Sequence, residues 1–298
     1  MLEIANLSLL SQLQRATFAR RTVCYIAASQ VWTCPADGWL VIRCLGAGGS
    51  GAFNGANVAT QGATGGSAGT VGIKRVRVSR GQQFTVTIPA GGAKQSSHGS
   101  GNAGGTLTVQ GPGVNISIPS GPGDVHGEAG TTNPDAADPT GLDWFIKSAR
   151  NAVVAGAATG GASPALLVGG VSHASSAASG AGASVNGASA LMGTFTSAGG
   201  LPPIDVSHCW LLVDVSGALA YFDNAGRILS RSGQGGSADQ AGGFGGGGSG
   251  NTGRPGRGGC VGGGGGGYRT PSSGSGSGSG SGEGGPGFVT FELLETQP

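Results

Sequence analysis

Between Gly233 and Gly287, 28 of 55 residues are glycine, and the run leads into Phe288-Val-Thr-Phe-Glu-Leu-Leu294, which alternates apolar and polar residues like a strand. A glycine tract ordinarily links two domains. Here only eleven residues follow it, and they have the pattern of a strand that closes a fold. The tract is therefore expected to lie inside a folded unit. With almost no side chains to bury, that unit has to be held by backbone hydrogen bonds.

Glycine makes up 66 of 298 residues, while Leu, Ile, Val and Phe together supply about a fifth. So few apolar side chains bring the chain to the edge of disorder, but the high net charge of disordered chains is absent, at +2. The core must be small or divided among thin modules. One way to order glycine is the extended helix with three residues per turn, whose N–H and C=O groups all point outward. Such helices can pack side by side and bond to one another, and the runs 245–248 and 262–267 suit this. Disorder is the competing reading, most of all for the Ser-Gly alternation from Ser273 to Gly282.

Strand patterns recur along the chain: Arg21 to Ala28, Trp39 to Leu45 after the turn Pro35-Ala-Asp-Gly38, Thr70 to Val78, Gln82 to Ile88, Thr106 to Val109 and Val114 to Ile118. Further on, Ile204 to Val215 and Ala218 to Phe222 read as a hairpin. Leu142, Phe145, Ile146, Ala149 and Val153 fall at helical spacing and predict a three-turn helix. Leu2 to Phe18, which contains Leu9, Leu10 and Leu13, reads as a short amphipathic helix or an extended arm. The expected fold is mainly β: short-stranded, sandwich-like sheets, a polyglycine II-type helix bundle, and one or two short α-helices.

The charge is uneven. Residues 1–120 carry +7 and residues 121–298 carry −5, and no Asp or Glu occurs between Asp37 and Asp124. Lys74, Arg75, Arg77 and Arg80 cluster, either as a solvated strand face or as a site for an anionic partner. No apolar run is long enough to span a membrane, and the N-terminus lacks a signal-peptide pattern. The spacing of Cys24, Cys34 and Cys44 leaves room for one hairpin disulfide, Cys34 to Cys44, in an extracellular protein. Buried free thiols are the other reading.

Motifs for catalysis or cofactors are weak. Gly46-Ala-Gly-Gly-Ser-Gly51 matches G-x-G-x-x-G, but no helical pattern follows it and no acid appears until Asp124. Asp124, His126 and Glu128 form a local D-x-H-x-E group that reads as an exposed turn rather than a metal site, and no carboxylate pair supports a hydrolase. Arg254-Pro-Gly-Arg-Gly-Gly259 has too few arginines for nucleic-acid affinity. No metal, cofactor or enzymatic activity is expected. Isolated large residues punctuate the glycine: Phe53 and Asn54 in the first loop, then Phe244, Arg254, Arg257, Tyr268 and Arg269. If the runs are packed helices, these residues mark their ends, where they either cap the bundle or form a small binding surface.

The stretch from Val31 through Pro35-Ala-Asp-Gly38 and a strand to Gly46-Ala-Gly-Gly-Ser-Gly51 resembles the opening of glycine-rich modules in bacteriophage tail fibres. Arg80-Gly-Gln-Gln-Phe-Thr-Val-Thr-Ile-Pro-Ala-Gly-Gly92 is similar to the hairpin that follows in those modules, and Pro286-Gly-Phe-Val-Thr-Phe291 to their endings. The distal adhesins of T-even-type phages share the plan of polyglycine helices capped by recognition loops. Residues 126–232 depart from the pattern. The resemblance implies a virion protein of the tail, acting outside the host cell and homotrimeric like most fibre components, with other tail or baseplate proteins as partners. It implies contact with a bacterial surface receptor (a polysaccharide, an outer-membrane protein or a pilus), and no nucleic acid.

On this reading residues 1–30 form an attachment arm, with Leu9, Leu10, Leu13 and Phe18 as candidate contacts; 31–125 form a glycine-rich β module; 126–232 form a middle segment; and 233–298 form the polyglycine tract with its closing strand. The loops bearing Phe53, Asn54, Phe244, Arg254, Arg257, Tyr268 and Arg269 are the candidate receptor-binding surface. A structural baseplate or fibre-network component without receptor contact is the alternative.

Overall fold

A computed structural model describes residues 20–55, 61–123, 126–128, 137–146, 264–265, 267–269 and 280–296, together with Gly262 and short strands at 184–185, 211–213, 219–222, 228–230 and 250–252. The strands in the first part of the chain are β1 Arg20–Ile26, β2 Gln30–Thr33, β3 Gly38–Leu45, β4 Phe53–Asn54, β5 Gln61–Ala63, β6 Val71–Val78, β7 Gln83–Thr87, β8 Leu107–Gly111 and β9 Val114–Ile118. Later come β10 His126–Glu128, β11 Trp144–Ile146, β12 Ser184–Val185, β13 Leu211–Val213, β14 Leu219–Phe222, β15 Ile228–Ser230, β16 Gly250–Thr252, β17 Tyr268–Arg269 and β18 Phe288–Glu295. No helix occurs among the described residues, and the fold is mainly β.

Two antiparallel sheets form a sandwich. One has the order β1-β18-β3-β6-β11, and the other is the meander β2-β7-β8-β9. Alternation decides what each strand buries. Leu40, Ile42 and Cys44 of β3 and Val289, Phe291 and Leu293 of β18 face Phe84, Val86, Leu107, Val109, Ile116 and Ile118 from the other sheet. Trp32 meets Phe291 edge-on at 4.8 Å between ring centres, which seats β2 on the core. The closing strand lies between β1 and β3, in register from Phe288↔Leu45 to Glu295↔Gly38. The first and last described strands are thus neighbours in one sheet.

At one end of the sandwich the strands do not turn back but run on into glycine. Residues 46–53 continue β3, and their amides donate with a period of three. Gly46, Gly49 and Ala52 donate to the carbonyls of Thr70, Ser67 and Thr64; Gly48 and Gly51 to Gly285 and Gly282; Ser50 and Phe53 to Asn102 and Gly99. Three residues per turn is the repeat of the extended polyglycine-type helix, and each face of this one addresses a different neighbour. The carbonyls of 46–53 serve three further neighbours: Ala47 accepts from Gly121, Gly48 from Gly92, and Gly49 and Ala52 from Gly265 and Tyr268.

The six surrounding segments close into a ring. Gly66 and Gly69 donate to Gly265 and Gly262; Gly262 donates to Pro286; Ser281, Gly284 and Gly287 donate to Gln95, Gly92 and Pro89; Gly105 donates to Ala90. The Ser120 hydroxyl donates to the Gly104 carbonyl at 2.9 Å. A Cβ built on Gly121 would overlap the Ala68 carbonyl oxygen, so 120–123 lies directly against 64–70 and completes the circuit. Around the centre, segments antiparallel to it (64–70, 280–287, 99–105) accept its N–H groups. Those parallel to it (262–268, 89–95, 120–123) donate to its carbonyls. Such contact between backbones leaves no room for side chains. A Cβ on Gly49 would strike the Pro122 carbonyl, one on Gly66 the Gly49 carbonyl, and one on Gly284 the Gly48 carbonyl.

Two expectations are corrected. Trp144–Ile146 is a strand, not part of a helix: it pairs with β6 from Trp144↔Ile73 to Ile146↔Val71. The apolar spacing that suggested a helix has another cause, because Leu142 packs over Gly72, whose missing side chain makes room for it. Residues 147–153 and 1–19 lie outside the described residues. Cys34 and Cys44 do not form a disulfide; with Cys24 they are free thiols. Cys34 sits at the β6–β7 turn, accepting from Gly81 and donating to Gln82, whereas Cys44 lies opposite Gly72 and Val289 at the far end of β3. Six residues of strand, roughly 20 Å, separate Gly38 from Cys44, while a disulfide needs Cα atoms within about 7 Å. Burial pushes all three thiols up in pKa, Cys44 furthest.

Substitutions separate buried from peripheral glycines. Gly49→Ala is expected to cost about 3 kcal/mol, the upper part of the range for overpacking, because the obstructing atoms are backbone. Gly99→Ala, whose added carbon would have no neighbour nearer than 3.8 Å, is expected to stay within about 0.5 kcal/mol of the parent. Urea titration of both proteins checks this. Equal stability of the two would contradict the packing described.

Candidate functional site

The glycine bundle has two unlike ends. At one end six of its seven segments join the sandwich strands: 46–53 follows β3, 64–70 precedes β6, 89–95 follows β7, 99–105 precedes β8, 120–123 follows β9 and 280–287 precedes β18. At the other end the segments are joined to one another. There lie β4, β5, β10 and β17, with β10 paired to β5, and the turn 96–98 between two of the segments. This tip is the candidate site.

Its framework is a four-stranded ladder in the order β12-β16-β17-β4. β4 and β17 run parallel, with Tyr268 opposite Phe53 and Arg269 opposite Asn54; β16 adds in parallel, and β12 in antiparallel fashion. The ladder therefore ties parts of the middle segment to the tip. The parallel arrangement follows from the bundle, where 46–53 and 262–268 both run away from the sandwich. Phe53 and Tyr268 are the first large residues after their glycine runs, and their rings meet at 4.6 Å with planes inclined by 41°. Tyr268 is buried and Phe53 half-buried. Asn54 is also buried, with its amide donating to the Gly62 carbonyl at 3.2 Å.

The rim of the tip is polar. Phe53 and Gly99 exchange a pair of backbone hydrogen bonds, each 2.9 Å. Next to them, the exposed Gly55 N–H donates to His98 Nδ1 at 2.9 Å. Gln95 is fixed three times: its N–H donates to Ser281 Oγ, its carbonyl accepts from Ser281 N–H, and its side-chain amide donates to the Ser100 carbonyl. Ser96, Ser97 and His98 stand exposed on this frame.

Of the residues singled out from the sequence, the fold brings Phe53, Asn54, Tyr268 and Arg269 together at one end. Phe244, Arg254 and Arg257 lie outside the described residues, as do Leu9, Leu10, Leu13 and Phe18. Sequence reasoning missed His98, Gln95 and Ser281. Their signal was the short Ser-Ser-His turn between two glycine runs, visible only once those runs are known to be adjacent segments. Among the described residues no group of three His, Cys, Asp or Glu side chains is placed to hold a metal ion. Asp124 of the D-x-H-x-E group lies outside the described residues, and His126 and Glu128 are in β10. The tip presents the half-buried Phe53 ring, the exposed His98 imidazole, and hydroxyl and amide hydrogen-bonding groups.

A family model described as a glycine-rich domain matches residues 26–294. The match spans nearly the whole chain, and the chain belongs to that glycine-rich domain family. No curated protein matches it.

If the aromatic pair anchors the tip, Tyr268→Ala is expected to cost about 3 kcal/mol, as other buried aromatic truncations do. A thermal or urea melt showing less than about 0.5 kcal/mol would remove Tyr268 from the framework.

Proposed function

We propose that this protein is a tail-fibre or tail-tip component of a bacteriophage particle that binds a receptor on the bacterial surface through the tip of its glycine bundle. The observation that supports this most is the closed ring of six segments around residues 46–53. It holds β4, β17 and the 96–98 turn at one end, away from the sandwich where the first and last described residues lie. A bundle bonded through its backbone is stiff and leaves its connecting turns free to vary in sequence. Loops on a rigid support suit recognition, because little order has to be gained on binding.

Within this reading the buried Tyr268 and Asn54 hold the surface in shape. Phe53, the Ser96–His98 turn and Arg269 are the contact candidates. The ligand is a surface polysaccharide or the outer part of a surface protein, matched by hydroxyl and amide groups around an aromatic face. Three copies in a fibre, and several fibres in a particle, would turn modest single-site affinities into firm attachment. The role is binding rather than catalysis, outside the host cell.

The test is binding of the labelled full-length protein to intact cells from a panel of bacterial strains, beside a His98→Glu/Arg269→Glu variant. Segment 262–268 is part of the ring, so point substitutions are preferable to a deletion that would unmake the bundle. The reading predicts capture by some strains, reduced by roughly tenfold or more in the variant with an unchanged melting curve. Capture by no strain, or equal capture of the two proteins, would contradict it and leave a structural role in the particle.

A further inference from the structure

The edge of β6 is only partly used. β11 pairs with it from Val71 to Ile73 and then stops. Just beyond, Asp143 N–H donates to the Ile73 carbonyl at 2.9 Å, while its carboxylate accepts from Arg75 N–H at 2.7 Å and from Lys74 Nζ at 2.5 Å. The odd-numbered backbone groups of β6 therefore face outward; Asp143 takes the Arg75 N–H, and beyond it no described residue pairs with the Arg75 carbonyl or with the N–H and carbonyl of Arg77. Beside this open stretch, Arg75 and Arg77 are exposed on the outer face of the sheet, and their guanidinium groups form no close ion pair among the described residues, although the Arg75 charge helps to hold the Asp143 carboxyl below its ordinary pKa. Trp39 lies across from Arg77 in register and is 37% exposed, one of three large apolar side chains on the described surface. On the other face of the same edge, Val76 is half-buried at the margin of the core.

We propose that this edge is a docking site for an extended polypeptide segment that alternates acidic and apolar residues and adds to the sheet as a further strand beyond Asp143, bonding to the Arg75 carbonyl and to the N–H and carbonyl of Arg77. Strand addition uses the outward backbone groups for affinity and alternate side chains for specificity. Side chains two apart in a strand are roughly 6.6 Å apart, so carboxylates at every second position of the added segment meet Arg75 and Arg77 in turn. The intervening apolar residues cover Val76. Asp143 already shows the chemistry on this edge, a carboxylate seated on a β6 amide and a β6 lysine. The charge balance agrees, since no Asp or Glu occurs between Asp37 and Asp124. A nucleic acid or acidic polysaccharide would use the arginines but not the strand edge. The site lies at the end of the sandwich away from the tip, near Arg20 and Glu295, and the inference does not depend on the receptor reading.

The test uses a fluorescent nine-residue peptide alternating Glu with Val or Thr, a peptide of the same composition with its glutamates in one block, and a single-stranded DNA oligomer of equal charge. Each is titrated at low salt against the full-length protein and its Arg75→Gln/Arg77→Gln and Arg80→Gln variants. The alternating peptide should bind the parent and the Arg80→Gln protein alike, and the double variant at least roughly tenfold more weakly. The block peptide and the DNA should bind more weakly than the alternating peptide. Absence of binding would overturn the proposal. So would equal binding by the double variant, equal loss in Arg80→Gln, or a preference for the block peptide or the DNA.

Discussion

The structure depends on how closely two backbones can approach when neither carries a side chain. In the bundle the amides and carbonyls of residues 46–53 reach six neighbours, and at Gly49, Gly66, Gly69 and Gly284 a single added carbon would collide with a carbonyl of an adjacent segment. Glycine is thus required by the packing, whatever its conformational freedom. Ordering it is costly, on the order of 1–2 kcal/mol per residue, and little apolar surface is buried in exchange. The compensation comes from the backbone hydrogen bonds made between buried segments, where an unmade bond would be expensive.

The sandwich makes that arrangement attainable. Isolated glycine segments have no reason to align, but here β3, β6, β7, β8, β9 and β18 deliver them side by side with their register already set by side-chain packing. Phe291 against Trp32 and Phe84 fixes where β18 sits relative to the meander, and hence where 280–287 meets 89–95. The ion pair of Arg43 with Glu292, 2.5 Å apart, spans the β3–β18 pairing in the middle of the two strands that connect to the bundle. Side-chain chemistry governs one half of the molecule and backbone chemistry the other, and the second half inherits its alignment from the first.

Much of this was legible in the sequence. The alternation in 71–78, 83–87, 114–118 and 288–294 marks strands whose inward residues are the ones now found buried. The glycine tract pointed to a backbone-bonded unit because a strand follows it, and Gly262, Gly265 and 280–287 do lie in the bundle; its axis, 46–53, read as a loop, and the run 245–248 lies outside the described residues. Two features were hidden. The Leu142, Phe145, Ile146 spacing fits a helix as well as a strand that lays Leu142 over Gly72, and only the partner strand decides between them. The membership of the bundle was also unreadable, because glycine segments carry no pattern that says which of them are neighbours. His98 and Gln95 gained meaning only when 89–95 and 99–105 were seen to be adjacent. The acidic-poor stretch containing Lys74, Arg75 and Arg77 was visible, but whether its side chains were paired or open was not.

The central claim is that residues 46–53 form the axis of a bundle whose backbone groups are satisfied by six neighbours. Native-state hydrogen exchange resolved to single amides tests it most directly. The account predicts that the amides of Gly46, Gly48, Gly49, Ser50, Gly51 and Ala52 exchange as slowly as those of β3 and β18, opening only with global unfolding. Exchange of these amides within seconds, while the sandwich strands stay protected, would show that the glycine segments are not bonded to one another and would contradict the account.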